Sequence, residues 1–151
     1  MTETSPTPNK ALIGAAGVYF VASELSLRSL IALPTIRNTA GTDIVVVNKD
    51  GTWHANLQVK TSRSKVSFWP MSERFGEWRG PNNYYIFLRY LKDKQRFEVF
   101  LETSDRVVDQ VAASIVQEKE RGLAKWAPCW YLKGEEERLR HQWLEFGLEP
   151  D

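Results

Sequence analysis

Three polar side chains within one short stretch of the chain could act together on a phosphate. Asp43 opens a run of β-branched apolar residues, an Asp-Gly pair follows at 50–51, and Gln58 and Lys60 lie in a second such run. An Asp-Gly pair between two such runs predicts a β-hairpin, and with these two residues at its centre Asp43 faces Gln58. Since side chains alternate between the faces of a strand, Asp43, Gln58 and Lys60 are expected on one side. A carboxylate, an amide oxygen and an ammonium group suit a hard divalent cation beside a phosphate.

Composition places these residues in an ordinary globular protein. The 151 residues are 42% hydrophobic and 26% charged, which predicts one domain over residues 11–151 after a disordered polar tail at 1–10. No apolar run approaches the roughly 20 residues that span a bilayer, and the N-terminus lacks the pattern of a signal peptide, so no membrane association is expected. Cys129 is the one cysteine, which excludes an internal disulfide, and no Cys/His spacing predicts a zinc site. These features favour a cytoplasmic location.

The net charge of +1 hides a strong segregation of charge. Residues 60–96 carry nine bases against three acids, whereas residues 97–151 carry seven bases against twelve acids. A concentration of positive charge directly after the hairpin would attract a polyanion. A solvated basic face without a partner is the simpler interpretation of the charge alone.

The elements that must position these residues follow from periodicity and turn signals. Apolar residues at three-and-four spacing predict a helix over 11–32, ended by Pro34, with Leu12, Ala16, Tyr19, Phe20, Ser23, Leu27, Leu30 and Ile31 on its inner face. Further predicted elements are a short strand at 35–38, hairpin strands at 42–48 and 53–61, an irregular segment at 62–82, a second hairpin at 83–91 and 96–102, a helix from an N-cap at Ser104 to Gly122, an aromatic loop at 126–131, and a last helix from about Glu135. This order predicts an α/β sandwich with a mixed central sheet.

The chain resembles the PD-(D/E)XK nuclease superfamily at these positions. The matching residues are Glu24 on a helix, Asp43 opening a strand, and Gln58-Val59-Lys60 on the next strand. The resemblance covers residues 12–62 well and the remainder loosely. It implies a restriction endonuclease-like three-layer sandwich, with a mixed central sheet flanked by helices, and a metal-dependent nuclease that hydrolyses phosphodiester bonds, with DNA as the expected nucleic acid.

The same resemblance implies a role for each residue. Asp43, the side-chain oxygen of Gln58, the backbone carbonyl of Val59 and Glu24 would hold Mg²⁺, for which Mn²⁺ can substitute. Lys60 would stabilise charge beside the attacked phosphate. Most members of the superfamily carry an acid where this chain has Gln58, so Glu24 becomes more important to the charge of the site. Thr42 replaces the proline that usually precedes the motif aspartate.

Basic and aromatic residues interleave in the segment that follows the second strand of the hairpin. Such a pattern suits phosphate contacts and base stacking. Ser62, Arg63 and Lys65 are the predicted phosphate-binding residues, because they lie next to Lys60 in the sequence. At least two of the aromatic residues here are expected to be packing anchors instead, from the set Trp69, Phe75 and Trp78.

Other interpretations remain open on the sequence alone. Asp43, Lys60 and Glu24 taken singly are each more typical of structural positions, and His54 and His141 have no evident partner in a site. Gln58 and the modest total charge also fit a nuclease-fold protein that binds nucleic acid or a protein partner without cutting. A third interpretation is an oligomerisation module that uses the aromatic hairpin from Tyr84 to Phe100. A homodimer is compatible with each of these.

Overall fold

The structure, a computed structural model, describes residues 8–36, 41–122 and 127–148. Within these residues the chain forms the helices α1 (Lys10–Leu27), α2 (Ser104–Glu120) and α3 (Glu136–Glu145), and a 3₁₀ turn at Phe75–Glu77. Its strands are β1 (Ile31–Pro34), β2 (Ile44–Val47), β3 (His54–Ser62), β4 (Phe68–Pro70), β5 (Asn83–Leu91), β6 (Arg96–Thr103) and β7 (Cys129–Tyr131). The expected N-terminal tail lies mostly outside the described residues, and α1 begins one residue earlier than expected because the Asn9 side chain caps it by accepting from Leu12 N–H.

Five of these strands form a mixed sheet in the order β1-β2-β3-β5-β6. β3 and β5 run parallel, and the other neighbouring pairs are antiparallel. β4 and β7 form a separate antiparallel ribbon. Helices flank the sheet, so the expected α/β sandwich with a mixed central sheet is confirmed.

The two faces of the sheet bury two separate cores, because side chains alternate along each strand. On β5, Ile86 and Leu88 point toward α1, whereas Tyr85 and Phe87 point toward α2 and the β4-β7 ribbon. We call these two sides the α1 face and the α2 face. α3 lies along β6 and contributes to both cores, with Trp143 on the α1 face and Leu139 on the α2 face. On β3, the even-numbered residues Gln58 and Lys60 therefore belong to the α2 face.

The first helix ends earlier than the sequence suggests. α1 stops at Leu27, Ser29 adopts a left-handed backbone with φ 63°, and Leu30 N–H donates to Leu25 C=O. This reversal turns the chain directly into β1, so the prediction of a helix to residue 32 is wrong. The predicted strand at 35–38 is not formed at 35–36, and its other two residues lie outside the described residues. Pro34 ends an edge strand rather than a helix, which a proline tolerates because no neighbouring strand needs its missing N–H.

The buried face of α1 also differs from the predicted face. Ile13, Gly17, Val21 and Leu25 are buried, whereas the predicted Leu12, Tyr19 and Leu27 are 65%, 69% and 79% exposed. The helix is apolar on nearly all sides, so spacing alone does not select one stripe. Its 18 residues have a mean hydropathy of 1.3, so by length and composition alone the helix could cross a membrane, a condition that core helices also meet.

The register of the first hairpin is the one expected. Ile44 pairs with Leu57 and Val47 with His54, as the predicted turn position requires. The loop is longer than expected, because Asn48 N–H still bonds to Trp53 C=O and the reversal uses residues 49–52. Asp50 braces this loop by accepting from the Thr52 N–H and hydroxyl, and Gly51 takes φ 74°.

The later elements match their predictions closely. The second hairpin pairs Leu91 with Arg96, and α3 begins within one residue of Glu135. The N-cap of α2 is Thr103 rather than Ser104, whose buried hydroxyl instead bonds to Gly80. In the expected aromatic loop, Trp126 lies outside the described residues and β7 occupies 129–131.

The aromatic residues of the second hairpin do not form an exposed surface. Tyr85, Phe87 and Phe100 are each no more than 1% exposed and pack under Trp69 and Trp130. β5 also lies inside the sheet between β3 and β6. These three rings are therefore not available as contacts for a partner, and the interpretation of the hairpin as an oligomerisation module stays a prediction.

Candidate functional site

The site begins at Asp43, where the hairpin ladder ends in a bulge. Ile44 is paired with Leu57, yet Asp43 N–H also donates to Leu57 C=O at 2.8 Å. Asp43 and Ile44 thus face one residue of β3, as in a β-bulge. Beyond this bulge, the Asp43 side chain satisfies a backbone group of β3 that β2 does not reach. Its carboxylate Oδ2 accepts a hydrogen bond of 2.7 Å from Val59 N–H. The predicted direct pairing of Asp43 with Gln58 is therefore corrected to a contact with Val59, one residue further along β3.

Gln58 and Lys60 open into one cavity on the α2 face. The cavity has a volume of about 320 Å³, and both side chains line it. Tyr85 lines the same cavity because the parallel pairing of β3 and β5 sets it beside Gln58. The amide, the ammonium group and a tyrosine ring thus share one space at the end of β3.

Asp43 and Lys60 form an interacting pair of opposite charges. Burial raises the pKa of the Asp43 carboxyl, and the Val59 hydrogen bond and the Lys60 charge only partly offset this. Burial likewise lowers the pKa of the Lys60 ammonium group, against the opposing effect of the Asp43 charge. Desolvation therefore exceeds mutual attraction in both groups. A cation bound to the carboxylate and an anion bound to the lysine would both offset this desolvation.

The segment between β3 and β5 forms the far wall of this cavity. It is pinned to β5 by two hydrogen bonds, from Trp69 Nε1 to Leu88 C=O at 3.0 Å and from Arg89 Nη1 to Val66 C=O at 2.9 Å. Trp69 is 2% exposed, so it is a packing anchor as the sequence suggested. Phe75 and Trp78 are half-buried and line the cavity.

Several residues of the cavity were not identified from the sequence. Arg74 and Glu77 line it as an exposed ion pair with N···O 2.8 Å, and Met71, Ser72 and Tyr85 complete it. Burial raises the pKa of Tyr85 to about 12, so its hydroxyl stays a neutral donor at neutral pH. The alternation of basic and aromatic residues after β3 was the signal that could have identified Arg74. No local signal identifies Tyr85, because the register of a parallel strand pair is not determined by a turn.

The structure does not bring Glu24 to this site. α1 leads through the turn at Ser29 into Ile31, which pairs with Val47 at the loop end of the hairpin, opposite to Asp43. Glu24 lies near this C-terminal end of α1, on the other face of the sheet, where it contacts Arg28 at 3.6 Å. It lines a different surface depression, together with Phe97 and Arg140.

The predicted phosphate-binding residues lie just past the cavity, at the end of β3. The Ser62 hydroxyl is engaged in a local turn with Ser64, donating to its C=O and accepting from its N–H. Arg63 and Lys65 are exposed. The two histidines lie elsewhere: His54 is exposed at the loop end of β3, and His141 contacts Glu145 on α3.

The donor atoms near Asp43 suit a hard cation. They are the Asp43 carboxylate and the Val59 carbonyl, which points to the same strand edge as the Val59 N–H, and the Gln58 side chain lines the adjoining cavity. Mg²⁺ prefers oxygen ligands and is often held by one or two carboxylates, with water and substrate phosphate completing the shell. Among the residues that the structure describes, no three His, Cys, Asp or Glu side chains come together as a metal-binding group. The residues present therefore fit a cation that relies on the substrate for part of its coordination.

Comparison with solved structures finds a similarity to the bacterial homing endonuclease I-Ssp6803I. The TM-score is 0.44 and the sequence identity 14%, over 64% of this chain and 67% of that chain. No family model matches the sequence, and none of the curated proteins is similar to it.

Proposed function

We propose that the protein is a metal-dependent nuclease that hydrolyses phosphodiester bonds, with DNA as its substrate. One observation carries the proposal: Asp43 and Lys60 interact as a half-buried pair of opposite charges beside a cavity that Gln58 also lines. Buried charges that desolvation disfavours are uncommon unless they serve binding or catalysis.

Each residue has a role in this proposal. Asp43, Gln58 and the Val59 carbonyl would hold Mg²⁺ or Mn²⁺, which supplies Lewis-acid stabilisation of phosphate charge and a more acidic bound water. Lys60 would meet a non-bridging phosphate oxygen with its ammonium group and stabilise the negative charge that grows during attack. The Asp43 charge partly offsets the lowering of the Lys60 pKa by burial. The Tyr85 hydroxyl supplies a further neutral donor in the cavity.

Incubation with plasmid, single-stranded and branched DNA tests the proposal. Cleavage should require Mg²⁺ or Mn²⁺, stop with EDTA, and be abolished by Asp43→Ala and by Lys60→Ala. Matched controls are Asp93→Ala and Lys49→Ala, since both residues are exposed in hairpin loops away from the cavity. Cleavage that survives either site substitution would overturn the assignment, as would the absence of metal-dependent cleavage on every substrate.

One observation favours a second candidate, a protein with this fold that binds nucleic acid without cutting it. Glu24 lies on the other face of the sheet, so the carboxylates near Gln58 and Lys60 among the described residues are Asp43 and Glu77, and Glu77 is already paired with Arg74. Calorimetric titration separates the two candidates. A binder should show little affinity for Mg²⁺ or Mn²⁺, while its affinity for nucleic acid falls steeply with salt.

A further inference from the structure

The cavity beside Lys60 has an aromatic side that phosphate chemistry does not require. Phe75, Trp78 and Tyr85 line it together with the apolar Met71. A phosphate group and its counter-ion would use only polar side chains of the lining, such as Gln58 and Lys60. The aromatic side chains would suit an apolar, planar group attached to the phosphate.

Trp78 is held in place on several sides. Its Nε1 donates to the Thr42 hydroxyl at 3.3 Å, and its ring meets the Tyr85 ring edge-on, with centroids 5.0 Å apart and planes at 77°. Its indole also lies directly over Gly41, where a Cβ atom would overlap the ring. The glycine and Thr42 both belong to the segment that leads into Asp43, so the orientation of the indole is tied to the position of the carboxylate. A ring fixed in this way loses little freedom when a ligand stacks on it.

The size of the cavity limits what can enter. A volume of about 320 Å³ lies at the lower end of the roughly 300–1,000 Å³ that is typical of small-molecule sites. This space suits one nucleobase with its sugar and is far too small for a base pair within a duplex. Nucleobases stack on aromatic side chains whatever their sequence, and cations track the adjoining phosphates. Lys60 and the exposed Arg74, which is paired with Glu77, are the cations in the cavity lining.

We propose that this cavity receives a single unpaired nucleobase next to the phosphate at Lys60, so that the preferred substrate is nucleic acid containing an unpaired nucleotide. A paired base would first have to leave the duplex at the cost of its pairing and stacking, which an already unpaired base does not pay. The placement of the phosphate rests on the proposed nuclease function, whereas the aromatic base pocket is tested by binding alone.

The test compares three short DNAs of one sequence in EDTA, so that binding is measured without cleavage. They are a fully paired duplex, the same duplex with one bulged 5-iodouracil, and the single strand carrying that base. Fluorescence anisotropy should show the bulged and single-stranded DNAs binding about tenfold more tightly than the paired duplex, a difference that one stacked base can provide. Photocrosslinking followed by mass spectrometry should attach the iodouracil to Phe75, Trp78 or Tyr85.

Substitutions provide a second, independent measurement. Phe75→Ala and Trp78→Leu should each remove most of the preference for the bulged DNA. Phe68→Ala is the matched control, because Phe68 lies in the same segment, is 46% exposed and packs on Tyr131 outside the cavity. Crosslinking of the unsubstituted protein stays informative even if a Trp78 variant folds poorly.

The outcomes separate this inference from the nuclease proposal. Equal affinity for paired and bulged DNA, or crosslinks that map outside the cavity, would overturn the base pocket even if the protein cleaves DNA. Crosslinking at Trp78 by a protein that cuts nothing would support the pocket and reject the nuclease. Cleavage of fully paired duplex as fast as bulged duplex would likewise contradict the pocket and leave the nuclease proposal standing.

Discussion

The carboxylate of Asp43 binds a backbone N–H of β3 that β2 does not reach: its Oδ2 accepts the Val59 N–H at 2.7 Å, one residue before β2 begins. This bond uses one carboxylate oxygen and fixes the side chain against the edge of β3. The N–H and C=O of one strand residue point to the same side, so the Val59 carbonyl is directed toward the same edge. Two oxygen donors of different residues are thereby held together by the local backbone before any ligand binds.

Asp43→Asn should separate the charge of this side chain from its structural role. The amide oxygen can still accept the Val59 N–H, so we expect the melting temperature to stay within a few degrees of the original or rise, because burial disfavours the charged form. Metal affinity should fall by at least about tenfold, as is usual when a site loses a key anionic group. Calorimetric titration with Mn²⁺ and thermal unfolding measure the two effects.

Glu24→Gln is the matched control for that substitution. The resemblance to a known nuclease superfamily assigns Glu24 to the metal, whereas the structure pairs it with Arg28 on the other face of the sheet. We expect unchanged Mn²⁺ affinity and unchanged cleavage. A loss comparable to that of Asp43→Asn would mean that α1 is oriented differently in the working protein.

Gln58→Glu should keep or strengthen metal binding. A carboxylate at position 58 would add to the charge that Asp43 provides beside the cavity, and charged oxygen ligands hold a divalent cation more tightly than neutral ones. We expect a lower dissociation constant for Mn²⁺ and cleavage at least equal to that of the original protein. An active protein that this single substitution inactivates would show that Gln58 is not a metal ligand.

The parts of the site that were predictable from sequence are those that local turn chemistry sets. The Asp50-Gly51 pair fixed the register that pairs Ile44 with Leu57, although the loop itself is longer than two residues. The bulge at Asp43 was not predictable, because nothing in the order Thr42-Asp43-Ile44 marks where regular pairing with β3 stops. Because of the bulge, the Asp43 carboxylate contacts Val59 rather than the predicted Gln58, and it still interacts with Lys60.

The features that the sequence analysis did not predict depend on contacts between residues that are far apart in the chain. α1 is apolar on most sides, so its buried stripe depends on which residues can approach β3 closely, and Gly17 rather than Ala16 does so. The position of Glu24 follows from that rotation and from the turn at Ser29. Tyr85 reaches the cavity through a parallel pairing whose connection runs through residues 63–82, and no local pattern specifies such a register.

The stability of the site should depend on pH through Lys60. Burial lowers the pKa of Lys60 below its usual 10.5, so the protonated side chain destabilises the folded state at every pH below the folded-state pKa. This penalty disappears as the pH rises through the folded-state pKa toward 10.5. In an Asp43→Asn background, which removes the partner charge, Lys60→Met should therefore raise the melting temperature at pH 7. Each kcal/mol relieved corresponds to about 2–4 °C in a chain of this size.

Thermal unfolding of the two Asp43→Asn proteins at pH 7 and at pH 10 measures the effect. The difference in melting temperature between them should shrink at the higher pH. A difference that stays constant with pH would indicate a gain from packing of the methionine rather than from the removed charge.

Gly17 sets how closely α1 approaches the strand that carries Gln58 and Lys60. A Cβ atom at Gly17 would overlap Thr61 Oγ1 and lie 3.0 Å from Leu88 Cδ1, whereas at Gly14 no atom lies within 4 Å. Alanine is preferred to glycine within a helix by about 1 kcal/mol, so Gly14→Ala should stabilise the protein by roughly that amount. Gly17→Ala should instead destabilise it by about 1–3 kcal/mol, since overpacking at a close contact exceeds the gain in helix propensity. Urea unfolding of both variants, which make the same chemical change one helical turn apart, measures the two free energies; stabilisation by both would mean that α1 does not contact β3 at Gly17.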